Sequence, residues 1–149
     1  MDKTQQAGFS LPEYHQIPDV GLFLEQVVQY VNECLDPLPG MTRSMISNYV
    51  KRGILPRPVK KQYSRQQIAL VLFIAMVKEV LSLEELGRLW QLWQQRWTVE
   101  EGYECLRLRL AGQLLPEQPE LLALAADAAA GRLRLMDCLE RCREEEEAL

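Results

Sequence analysis

Met41-Thr-Arg-Ser-Met-Ile-Ser-Asn-Tyr-Val-Lys-Arg-Gly-Ile-Leu-Pro-Arg-Pro-Val-Lys-Lys-Gln-Tyr-Ser-Arg65 is the stretch whose reading decides the fold. Thr42 is placed to cap a helix over residues 43–52. Met45, Ile46, Tyr49 and Val50 form the apolar stripe of that helix, while Arg43, Ser44, Ser47, Asn48, Lys51 and Arg52 fall largely on its other side. Gly53 stands where helices commonly end on a left-handed residue. Pro56 and Pro58 then exclude a helix, and residues 59–63 suit a short edge ribbon. Ser64 and Gln67 have capping-box spacing and open a further helix over residues 65–81.

Charge separates this stretch from its flanks. The chain carries a net charge of −4 over 149 residues, which by itself argues against a polyanion partner. Residues 41–78 nevertheless hold eight basic side chains and no acid, a net of +8 between flanks of −5 and −7. An acid-free basic block of this kind is the electrostatic footprint of a polyanion-binding surface.

Upstream, residues 1–16 read as a flexible polar tail. Pro18 and Asp19 open the first helical pattern, with Asp19 as its cap, and Leu22, Leu24, Val27, Val28, Val31 and Leu35 recur at helical spacing. Pro37, Pro39 and Gly40 then force a turn. Downstream, the capping boxes Ser82–Glu85 and Thr98–Glu101 open helices over residues 82–95 and 98–115. Pro116 and Pro119 bracket a turn, and a last helix starts near Glu120 and runs into the acidic end at residues 144–147.

Composition sets the outer limits. With 48% apolar residues the chain can build a core and is not expected to be disordered. Residues 1–10 lack the apolar segment of a secretory leader, and the longest apolar run, residues 68–77, is about half of a membrane span. The expected location is cytoplasmic, with no membrane association. Cys34, Cys105, Cys138 and Cys142 form no disulfide-scaffold pattern; Cys138 and Cys142 share a helical face, but two thiolates do not complete a zinc site. Trp90, Trp93 and Trp97 lie on one side of a helix, where core packing and an aromatic ligand pocket are the two readings. With no carboxylate pair, nucleophile–histidine set, phosphate loop or ligand cluster, neither an enzyme nor a cofactor is expected.

Helix, turn, polar-faced helix, basic hairpin and apolar helix is the order of a winged helix-turn-helix. A helix fits the major groove, where Arg43, Ser44, Ser47 and Asn48 would meet base edges; arginine suits guanine and asparagine suits adenine. Lys51, Arg52, Arg57, Lys60, Lys61 and Arg65 would hold phosphates. Tyr49 and Tyr63 either touch phosphates or pack between the helix and the hairpin, and Asn48 either reads a base or bonds locally.

The strings Asn48-Tyr-Val-Lys51 and Pro58-Val-Lys-Lys-Gln-Tyr-Ser64, with residues 17–27 upstream, resemble the bacterial family catalogued as domain of unknown function 1836, over roughly residues 10–110. That family in turn resembles the MerR-type regulators, whose recognition helix ends in a Tyr-x-x-x-Gly-Leu pattern; Tyr49-Val-Lys-Arg-Gly53-Ile54-Leu55 is similar to it. Asn48 replaces the arginine usual before that tyrosine, and the turn before Thr42 is wide, so no base preference carries over. The resemblance implies a DNA-binding fold.

The expectation is therefore a mainly α protein. Residues 17–82 form a MerR-like winged helix-turn-helix with a short β wing, and residues 83–149 form a helical region for dimerisation or ligand sensing. Its function is expected to be transcription regulation, as a homodimer on double-stranded DNA. The alternative is an adaptor that keeps the frame and binds an acidic protein. The last helix, with Leu121, Leu124, Ala125, Ala128, Leu135 and Leu139 at helical spacing, either folds back or pairs with a second subunit.

Overall fold

A computed structural model of the chain describes residues 9–113 and 117–148. Its central element is the helix with no polar face. After a 3₁₀ turn at Tyr14–Gln16, the described helices are α1 (Leu24–Leu35), α2 (Arg43–Lys51), α3 (Arg65–Val77), α4 (Leu83–Arg96), α5 (Val99–Leu110) and α6 (Glu120–Ala148). Every residue of α3 from Gln67 to Val77 is buried. An all-round apolar helix needs partners on every side, and α3 finds them in α1, α5 and α6. The chain is mainly helical, as expected.

The helix starts follow the local chemistry. Ser64, Ser82 and Thr98 each accept the backbone N–H three residues on, and Gln67, Glu85 and Glu101 reciprocate, at 2.7–3.4 Å. The ends are less regular. Helix α3 stops at Val77, not at residue 81, because the chain turns through residues 78–81 to present Ser82 in the extended conformation of a cap. Helix α5 stops at Leu110, and the expected turn residue Pro116 lies outside the described residues.

Three expectations are corrected. The first helix begins at Leu24, without Asp19 as its cap. Leu22 is instead drawn into backbone pairing with Tyr63, and the Asp19 carboxylate accepts the backbone N–H of Arg65 at 3.2 Å. Residues 9–16 are not a free tail: Phe9, Leu11 and Tyr14 are buried, and the Tyr103 hydroxyl donates to the Pro12 carbonyl at 2.7 Å. Residues 1–8 lie outside the described residues. The β ribbon at residues 59–63 is also absent. Among the described residues there is no strand, only the single pairings Leu22–Tyr63 and Val59–Gln62. The next bonded pair of the ladder would join Arg57 and Ser64, but the Gln67 amide accepts the Ser64 N–H and donates to the Arg57 carbonyl, so the pairing stops after one step.

The tryptophans divide by burial. Trp93 is buried against Phe73, with ring centroids 4.7 Å apart, and its Nε1–H donates to the Thr98 carbonyl at 2.8 Å. The space left among the core side chains Ile54, Phe73, Leu86, Leu89 and Trp93 is about 10 Å³, too small for a ligand. Trp93 is thus a core residue, while Trp90 and Trp97 are half-buried.

Helix α6 changes character along its length. Leu122, Ala123, Ala126, Ala129 and Ala130 pack into the core, and Arg109 of α5 holds Asp127 through two hydrogen bonds of 2.9 and 2.5 Å. From Arg134 to Ala148 every residue is exposed, including Leu135, Met136 and Leu139. No described helix is long and apolar enough to cross a membrane.

Candidate nucleic-acid interface

Helix α2 is seated by its apolar stripe. Ile46 and Tyr49 are buried and Met45 and Val50 half-buried, which leaves Arg43, Ser44, Ser47, Asn48, Lys51 and Arg52 exposed. The Thr42 hydroxyl accepts the Met45 N–H at 3.1 Å. At the other end Gly53 adopts φ +75°, and the N–H groups of Gly53 and Ile54 return to the carbonyls of Val50 and Tyr49. That pair of bonds closes the helix on a left-handed residue, where a Cβ is disfavoured.

The entry to α2 is held by a residue the sequence reading passed over. The Asn32 amide of α1 donates to the Met41 carbonyl at 3.0 Å and accepts the Met41 N–H at 2.7 Å. A Cβ at Gly40 would fall on that amide, so this position needs glycine. Asn32 thereby fixes the orientation of α2 against α1. Asparagine on a predicted helix gives no local sign of such a partner nine residues away.

Beyond α2, Ile54 and Leu55 are buried anchors, and the chain emerges at Pro56 and Arg57. The buried Gln67 amide of α3 governs this passage. Its Oε1 accepts the Ser64 N–H at 2.7 Å, and its Nε2 donates to the carbonyls of Pro56 at 3.0 Å and Arg57 at 2.7 Å. The capping box reveals the first bond but not the other two.

Val59 and Gln62 then exchange backbone hydrogen bonds of 3.1 and 2.9 Å around Lys60 and Lys61. The two lysines have φ of +51° and +65°. Positive φ at both central residues marks the mirror-image type I′ turn, which normally takes Asn-Gly. Behind it, Tyr63 is buried and exchanges backbone bonds of 2.7 and 3.1 Å with Leu22, which ties the turn to the segment before α1.

The candidate residues do not all stand free. Lys51, Arg52, Arg57, Lys60 and Lys61 are exposed and have no carboxylate partner among the described residues. Arg43 meets Glu25 of α1 at 3.0 Å, with both side chains mostly exposed. Arg65 is half-buried and internally engaged: Nε donates to the Ile17 carbonyl at 2.8 Å, a terminal nitrogen donates to the His15 carbonyl at 3.2 Å, and the guanidinium lies 5.8 Å from the centre of the Tyr14 ring. Tyr49 and Tyr63 pack inward, and burial pushes both phenols above their ordinary pKa, so they remain neutral.

On α2, two serines and an asparagine are thus exposed beside Lys51 and Arg52, and Arg57, Lys60 and Lys61 are exposed on the segment that follows. Among the described residues no group of three or more His, Cys, Asp or Glu side chains is placed to hold a metal ion. No curated protein and no solved structure matches the chain. A family model described as Domain of unknown function (DUF1836) matches residues 12–106, from the 3₁₀ turn through α4 into α5. That match takes in well over half of the sequence and the whole basic segment 41–78, and the chain belongs to this family, Domain of unknown function (DUF1836).

Proposed function

We propose that this protein is a DNA-binding transcriptional regulator of MerR-like winged helix-turn-helix type. Helix α2 reads the major groove through Arg43, Ser44, Ser47 and Asn48, and the turn at Lys60 and Lys61 is a minimal wing that clamps the backbone. Lys51, Arg52 and Arg57 supply further phosphate contacts.

The observation that carries this reading is the two-lysine turn. Left-handed backbone costs a non-glycine residue about 1–2 kcal/mol, and two successive like charges at a tip repel. Neither choice helps folding. Both suit a tip that meets a dense row of phosphates, where each lysine releases a counterion.

The test is the salt dependence of DNA affinity. Replacing Lys60 and Lys61 with alanine is expected to weaken binding to all sequences and to flatten log K against log salt by about two units. Unchanged affinity and slope would remove the turn from the interface.

A second reading has its own support. Val20, Phe23 and Val59 are exposed apolar residues on the lysine turn and on the segment paired with it, and together with the basic side chains they favour an adaptor for an acidic protein. Absence of DNA binding even at low salt selects the adaptor.

A further inference from the structure

The turn that carries Lys60 also roofs a groove. This groove is open to solvent and has a volume of about 510 Å³, within the range of small-molecule sites. Lys60 and Gln62 line it from the turn, Gln66 and Leu70 from α3, and Trp90 and Gln94 from α4. Trp90 is half-buried and stands edge-on to the buried Trp93, with centroids 5.6 Å apart and planes at 76°. A ring braced in this way offers a rigid apolar wall.

The polar groups around that wall are uncommitted. Gln62, Gln66 and Gln94 are exposed, and none of their amides bonds to another protein group among the described residues. Lys60 has no carboxylate within ion-pair distance among the described residues; Asp19 also lines the groove, and its carboxylate accepts the Arg65 N–H. An aromatic wall, three amides without protein partners and an ammonium outside any ion pair match a flat ring bearing an acid.

We propose that this groove binds a small planar aromatic anion, its ring against Trp90 and its acid group on Lys60. One further consequence rests on the DNA-binding reading. Lys60 cannot serve an acid group and a phosphate fully at once, so the anion and DNA oppose each other's binding, reciprocally by linkage. The groove is thereby an effector site that acts on the clamp.

The test is calorimetric titration of the full chain with 2-naphthoate and with the neutral 2-naphthamide. Single-site, saturable binding is expected, at least tenfold tighter for the acid. Lys60→Gln should abolish that preference, and Gln94→Tyr, at an exposed helix position that leaves folding intact, should weaken both compounds by narrowing the mouth. No saturable binding of either compound, or acid binding indifferent to both substitutions, would overturn the proposal. DNA titrations of the same chain, with and without 2-naphthoate, keep the two readings apart. Naphthoate binding without DNA binding at any salt defeats the DNA reading alone, and DNA binding without naphthoate binding defeats the groove alone. Where both occur, DNA affinity should fall as naphthoate saturates; an unchanged affinity would overturn the effector role.

Discussion

Lys60 and Lys61 occupy backbone conformations that asparagine and glycine adopt at lower cost. The double substitution Lys60→Asn with Lys61→Gly is therefore expected to stabilise the fold by about 1–2 kcal/mol in urea denaturation while weakening DNA binding. A loss of stability would show that the lysines serve the fold. Arg65 behaves in the opposite sense. It has been placed among the phosphate ligands by its charge alone, yet two of its donors are occupied by backbone carbonyls of the 15–17 segment. Arg65→Ala is expected to cost about 1–3 kcal/mol of stability and to leave the salt slope of DNA binding unchanged. Charge is visible in a sequence; whether a guanidinium is free depends on a partner 48 or 50 residues away.

At the scale of elements, caps and stops were the most readable features. Thr42, Gly53 and the three boxes at Ser64, Ser82 and Thr98 act within three to five residues of chain, so their chemistry is local and the sequence displays it. The start of α1 was not readable, because the pairing of Leu22 with Tyr63 overrides the capping signal of Asp19. Nor was the second role of Gln67, which joins α3 to the passage between α2 and the turn. Gln67→Leu keeps the bulk but leaves the Pro56 and Arg57 carbonyls unpaired, a loss of about 1–3 kcal/mol. Amide exchange should accelerate at the Val59–Gln62 turn more than in α6. Uniform protection across the chain would mean that this amide does not hold the turn.

For the whole molecule, buried apolar residues run from Phe9 to Ala130, and α6 leaves that core at about Arg134. The remaining stretch is short for an isolated helix in water, ends in glutamates that oppose its dipole, and exposes Leu135, Met136 and Leu139. These features favour pairing with a second copy, which a regulator of two-fold operators requires. Removing residues 134–149 is expected to leave the thermal midpoint within a few degrees and to convert a dimer into a monomer in sedimentation. A full-length monomer, or a dimer that survives truncation, would contradict this. The periodicity of α6 was readable; where it leaves the core was not, because that depends on how far the shorter α5 extends beside it.

The central claim is that α2 reads DNA sequence and the lysine turn clamps it. Selection of bound sequences from random duplex DNA by the full-length protein tests it most directly. The account predicts enrichment of a two-fold symmetric consensus, its half-sites about one helical turn or a multiple of it apart, and loss of that consensus in an Asn48→Ala, Arg43→Ala variant that still binds DNA at low salt. No enrichment over the starting pool, at low salt as well as at physiological salt, would contradict it.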